Sequence, residues 1–115
     1  MLWGGSAKRD YLYIDDVLRA YDLLGKITDV QLERNRIFNF ASGHSITAKN
    51  MVKKIIGIMG ENTKIRIISK ERLQELDKQE VYWNKAKNVL GWTPKVSLDS
   101  GLTKTVMWYT KTLIK

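Results

Sequence analysis

Apolar and polar positions change period several times along the chain, and each change predicts an element. Arg9 to Ile14, "RDYLYI", alternates and is rich in tyrosine, which reads as a short strand. Asp15 can then cap a helix, and Asp16 suits its positive end. Val17, Ala20, Tyr21 and Leu24 recur at helical spacing as one apolar face, and Gly25 begins the exit. After a polar loop from Thr28 to Asn35, "RIFNFA" (36–41) reads as a second strand, apolar in the manner of a strand buried on both faces of a larger parallel sheet. "SGHSIT" is turn chemistry, and Thr47 is positioned to cap a helix that buries Met51, Val52, Ile55, Ile56 and Met59. Gly60 with Asn62 stops it.

"TKIRIIS" alternates as a third strand, and a short helix is expected around Glu71 to Leu76. Asn84 starts another helix, with Ala86, Val89 and Leu90 inward and Gly91 and Pro94 as terminators. Ser97 caps the last helix, striped by Leu98, Leu102, Val106, Tyr109 and Leu113. The expected fold class is mixed α/β, with two or three short strands and about five helices. So few short strands make a poor independent sheet, so the pattern asks for a larger sheet than these residues supply. No repeat or linker divides residues 1–115, which read as a single domain.

Composition narrows the function classes. The absence of cysteine excludes a disulfide framework and thiolate metal sites. Met1 is followed by Leu-Trp-Gly-Gly rather than a basic stretch and an apolar run, and no segment reaches a membrane span. A cytoplasmic location is therefore expected, with no membrane partner. The formal charge of +8 attracts anions, but the lysines are scattered as on a solvated surface. No nucleic-acid-reading motif accompanies the charge and the aromatics, which argues against a nucleic-acid-binding module.

Catalytic candidates are few. His44 is the only histidine and sits in a Gly/Ser turn without a carboxylate nearby in sequence to orient it. Asp15 and Asp16 point about 100° apart on a helix and cannot share a substrate proton, so capping explains them better. Gly4-Gly5 falls short of a dinucleotide-binding glycine turn, and no tyrosine has a lysine four residues on. No catalytic, metal-binding or cofactor-binding set is expected in these residues.

The order of three motifs says more. "GGSAKRDYLYIDDVLRAYDLL", then "IFNFASGHSIT", then "WNKAKNVLGWTPKVSLDSGLTKTVMWY" together resemble the C-terminal part of the NAD-dependent epimerase/dehydratase family, the extended short-chain dehydrogenases acting on nucleotide sugars. The residues carrying the resemblance are Arg9-Asp10-Tyr11, Phe38-Asn39 with Ser42-Gly43, Lys85-Ala86 with Leu90-Gly91-Trp92-Thr93-Pro94, and Gly101-Leu102 with Trp108-Tyr109. It implies the C-terminal portion of an extended Rossmann-type enzyme, a nucleotide-sugar-binding part without the cofactor-binding half. NAD(P) would serve the full-length family enzyme, and none is expected in this chain.

Substrate contacts follow residue by residue. Arg9 matches the arginine that contacts the nucleotide diphosphate, for which a guanidinium fork is chemically suited. Tyr11 matches an aromatic position lining the same cleft. Counting back from Lys85 places Arg72 and Glu75 at the family's R-P-x-D arginine and acid, with Leu73 in place of proline and Asn84 in place of the usual serine. The implied function is substrate binding for a nucleotide-sugar epimerase or 4,6-dehydratase, not catalytic alone. The alternatives are an interaction subunit that docks on a separate cofactor domain, or a small basic nucleic-acid-binding module; the partners expected are a nucleotide diphosphate sugar and a cofactor-domain polypeptide or a second copy of the chain.

Overall fold

The computed structural model describes residues 2–3, 5–28, 37–60, 67–68 and 80–113. The predicted helix near 71–76, together with Arg72 and Glu75, lies outside the described residues. Four short strands are present among those described: β1 (Leu2–Trp3), β2 (Lys8–Asp10), β3 (Ser45–Thr47) and β4 (Ile67–Ile68). They form two separate pairs. β1 runs parallel to β4, with Leu2 opposite Ile67 and Trp3 opposite Ile68. β2 runs antiparallel to β3, with Arg9 opposite Ile46 and Asp10 opposite Ser45.

The described helices are α1 (Ile14–Gly25), α2 (Ala48–Met59), α3 (Asn84–Leu90) and α4 (Leu98–Leu113). Their ends obey local chemistry. Thr47 Oγ1 accepts from Asn50 N at 3.2 Å, as its N-cap position requires. Ser97 Oγ accepts from Ser100 N at 3.2 Å at the start of α4. Gly60 and Gly91 close α2 and α3 in the left-handed conformation, at φ 73° and 71°.

Three sequence expectations change in the structure. The first strand covers Lys8–Asp10 rather than Arg9–Ile14, because the chain leaves the β2–β3 pair after Asp10 and is helical from Ile14. Tyr13, not Asp15, occupies the N-cap of α1, and both aspartates lie in the first turn. Residues 37–41 carry no strand pairing among the described residues, although they alternate, with Phe38 and Phe40 partly buried and Ile37 and Asn39 exposed. Partial exposure also trims the helical stripes: Tyr21, Met59, Tyr109 and Leu113 stand exposed.

The core is small. Ala20, Ala86 and Trp92 form its buried centre, with Leu12, Leu23, Phe38, Phe40, Trp83 and Leu90 packed around it. Trp92 meets Phe40 and Trp83 edge-on, with ring centroids 5.0 and 6.3 Å apart, a geometry favoured by the aromatic quadrupole. A second layer packs α2 on α4. Close to it, a Cβ built on Gly101 would lie 3.0–3.3 Å from Tyr13, so only glycine admits that ring against α4.

Candidate functional site

The site is assembled around the tripeptide Arg9-Asp10-Tyr11, where β2 ends. Asp10 grips the turn that follows residues 37–41. Its carboxylate accepts from Ser42 N (2.8 Å), Ser42 Oγ (2.7 Å) and Gly43 N (2.9 Å). The Ser42 hydroxyl in turn accepts from His44 N at 3.1 Å. Gly43 holds φ 84°, and the indole Nε1 of Trp83 would lie 3.1 Å from any Cβ there. The turn is therefore fixed by charge-assisted bonds on one side and by an aromatic wall on the other.

A second carboxylate organises the opposite wall. Asp16 is fully buried, and its oxygens accept from Lys95 N (3.1 and 3.2 Å) and Val96 N (3.1 Å) while pairing with Arg19. Its carbonyl takes the Trp92 indole N–H at 2.9 Å. Arg19 also donates to the Thr93 carbonyl at 2.8 Å and lies 5.9 Å from the centre of the Trp92 ring. Residues 92–96 are thus laced to the first turns of α1.

Between these two fixed segments opens a cleft of about 550 Å³. Tyr11, Ser42, His44 and Ser45 line one side, and Pro94 to Leu98 line the other, with Trp83 also in its lining. None of the residues lining it is a carboxylate, and Lys95 brings a cation. A smaller hollow of about 140 Å³ shares Trp83 but is acidic, lined by Asp10 and Glu80 with Tyr82 and Asn84. A third, of about 180 Å³, lies beneath Tyr11 among Leu12, Met51, Leu98 and Leu102.

Tyr11, 41% exposed, lines the large cleft. Arg9 lies on the same strand, and its Nη1 donates to the Lys8 carbonyl at 2.8 Å. It lines none of the three hollows, so the structure brings Tyr11 but not Arg9 to the large cleft. Lys85 spans to the Ile37 carbonyl at 2.7 Å and lies 5.1 Å from the centre of the Phe38 ring, tying α3 to residues 37–38.

Sequence reasoning missed Asp10, Asp16 and Trp83 as organisers of this region. Asp10 was legible only as half of an Arg-Asp pair; the Ser42-Gly43 turn it holds was the matching signal. Asp16 bonds residues 79 and 80 positions away, which no local pattern encodes.

A dinucleotide finds no cradle among the described residues. None of the four helices opens from a glycine-rich turn; Tyr13, Thr47 and Trp83 precede the first three, and Ser97 the last. Gly43, the positive-φ glycine of the cleft region, has its amide held by Asp10. No group of three or more potential metal ligands occurs among the described residues.

Comparison with known proteins agrees with the motif order. A family model described as GDP-mannose 4,6 dehydratase matches residues 2–105. The UDP-glucose 4-epimerase of Mycolicibacterium smegmatis is 30% identical over 91% of this chain and 32% of its own length. The UDP-glucuronate 4-epimerase of Thermodesulfobacterium geofontis is 29% identical over 90% of this chain and 31% of its own. Among solved structures, a UDP-glucose 4-epimerase from Thermotoga maritima with UDP-glucose shares 35% identity and a TM-score of 0.85, covering 98% of this chain and 35% of that one. A dTDP-glucose 4,6-dehydratase from Bacillus anthracis in complex with NAD gives a TM-score of 0.77 at 28% identity, over 96% of this chain and 34% of that one. The chain spans about a third of the length of these relatives. Matched by the family model over most of its length, it belongs to the NAD-dependent epimerase/dehydratase family of nucleotide-sugar enzymes.

Proposed function

We propose that this chain forms the nucleotide-sugar-binding portion of an NAD-dependent nucleotide-sugar epimerase or 4,6-dehydratase, and that it binds and orients substrate without performing the redox chemistry. The observation that carries the reading is the likeness, over 98% of the chain at a TM-score of 0.85, to a UDP-glucose 4-epimerase solved with UDP-glucose. The geometry supports it in two ways. The large cleft combines hydroxyls of Tyr11, Ser45 and Ser97 with Lys95 and lacks a carboxylate, which suits a polyhydroxylated anionic ligand. Arg9, on the strand leading into that cleft, offers a planar fork of donors to a diphosphate. Arg72 and Glu75 are proposed as further substrate contacts on the motif count alone.

The family's proton and hydride chemistry needs a glycine-rich turn and a Tyr-x-x-x-Lys pair, neither of which occurs in this sequence. Binding is thus the activity assigned to it. Thermal shift and titration calorimetry with UDP-glucose, UDP-glucuronic acid, dTDP-glucose and GDP-mannose test the reading. A nucleotide sugar present at 100 times its Kd would stabilise the fold by about 2.7 kcal/mol. Arg9→Ala should weaken that binding about tenfold or more, as expected for loss of a charge-assisted contact. A folded sample that none of the four stabilises refutes the assignment.

A further inference from the structure

The polar side chains lining the large cleft are unevenly matched as donors and acceptors. The Lys95 ammonium carries three donors and no acceptor, and among the described residues it makes no hydrogen bond or ion pair. On the facing wall, the Tyr11 and Ser45 hydroxyls and the His44 imidazole also lack a bonded partner among the described residues. Their backbones are nevertheless pinned. Lys95 N donates to the Asp16 carboxylate at 3.1 and 3.2 Å, and His44 N donates to the Ser42 hydroxyl at 3.1 Å. Asp10 and Asp16 direct their oxygens to backbone amides, the Ser42 hydroxyl and Arg19, and neither lines the cleft.

Such a lining discriminates between kinds of sugar. A hexose hydroxyl both donates and accepts, so a neutral ring matches the Tyr11 and Ser45 hydroxyls but offers the ammonium only neutral acceptors. A carboxylate only accepts, and its bonds to a charged donor are roughly twice as strong as neutral ones. Position favours the sugar over the phosphates as the source of that anion. Arg9, the proposed diphosphate contact, does not line the cleft, whereas Tyr11 does. Two residues separate them by at most about 7 Å of chain, the scale on which a sugar follows the diphosphate that carries it. The cleft, at about 550 Å³, falls within the range of about 300–1,000 Å³ usual for small-molecule sites.

We infer that Lys95 is a specificity-determining residue that pairs with a carboxylate on the sugar, so that the chain prefers nucleotide uronic acids to neutral nucleotide hexoses. The inference rests on the nucleotide-sugar reading above and names the class of sugar within it. The exposed Lys95 side chain can be replaced without losing the wall, because only the backbone amide of residue 95 meets Asp16.

Titration calorimetry with UDP-glucose and UDP-glucuronic acid, which differ only at C6, tests it through the ratio of the two Kd values. UDP-glucuronic acid should bind about tenfold more tightly, as one charge-assisted bond provides, and added salt should shrink the ratio. Lys95→Ala should bring the ratio close to one, and Lys95→Arg should restore a preference. Lys111→Ala, which removes the same charge from the exposed side of α4, should leave the ratio unchanged. Equal affinities in the parent chain, or a preference that Lys95→Ala leaves intact, overturn the inference. A Lys95→Ala chain that loses affinity for both ligands alike puts this cation on the diphosphate and overturns it too. In each of those cases nucleotide sugars still bind and the substrate reading stands; a folded chain that binds neither ligand refutes both.

Discussion

Replacing Asp16 with alanine should be among the most damaging single changes in this molecule. The carboxylate is fully buried, satisfies the Lys95 and Val96 amides, and neutralises Arg19. Its removal strands two backbone donors at about 1–3 kcal/mol each, and leaves a partly buried guanidinium with only the Thr93 carbonyl and the Trp92 ring. Breaking a buried pair by deleting one partner costs about 3–5 kcal/mol in comparable settings, so a loss of about 4 kcal/mol is expected. Small domains hold only about 5–15 kcal/mol in total, so Asp16→Ala should remove a large fraction of the stability and lower the urea midpoint accordingly. Urea denaturation followed by tryptophan fluorescence reads it directly, because Trp92 is buried and bonded to the Asp16 carbonyl. Asp16→Asn keeps an acceptor for the amides but not the charge opposite Arg19, and should lose about half as much. Asp15, exposed on the same turn, is the control: Asp15→Ala should stay within about 1 kcal/mol of the parent. An Asp16→Ala midpoint indistinguishable from that of Asp15→Ala would refute the claim that this carboxylate organises the 92–96 segment.

Three further outcomes follow from the same geometry. Gly101→Ala, which in an open helix would gain up to about 1 kcal/mol, should here lose about 1–2 kcal/mol, since its Cβ would press on Tyr13 at 3.0–3.3 Å; thermal melting decides the sign. Gly43→Ala should cost about 1–2 kcal/mol for the left-handed backbone alone, and more if Trp83 must move, with a red or blue shift in tryptophan emission as its signature. Asp10→Ala should release the Ser42 and Gly43 amides, measured as a large loss of hydrogen-exchange protection confined to that turn, with about 1–2 kcal/mol lost overall.

Much of the scaffold was readable because its signals are local. Thr47 and Ser97 cap helices through a hydroxyl three residues from the amide it accepts, and Gly60 and Gly91 end them by a conformation that glycine alone adopts cheaply. Trp92, set between the two predicted terminators Gly91 and Pro94, is completely buried. The strand extents were not legible, because pairing partners set them: β2 lasts only as long as Ser45–Thr47 lies opposite it. Residues 37–41 have strand composition without pairing among the described residues, so their apolar pattern reports an affinity for cover rather than an element present here. The site was half legible. Tyr11, singled out by motif order, lines the large cleft, whereas Asp10 and Asp16 take their roles from partners 32 to 80 positions distant.

The tripeptide at the end of β2 shows how one short motif can serve fold and ligand together. Strand alternation places Arg9 and Asp10 on opposite faces, so a cation and an anion adjacent in sequence need not neutralise each other. Asp10 spends its charge on the Ser42-Gly43 turn, and that withdrawal leaves the large cleft without a carboxylate at the point where Tyr11 enters it. An unclamped aspartate at the same position would add a negative charge near a surface proposed to meet a diphosphate. The two buried or bonded aspartates therefore do more than stiffen the fold. By tying their charges into backbone amides, Asp10 and Asp16 fix both walls of the cleft and leave Lys95 as the charged side chain in its lining, a character that suits the anionic ligand proposed for it.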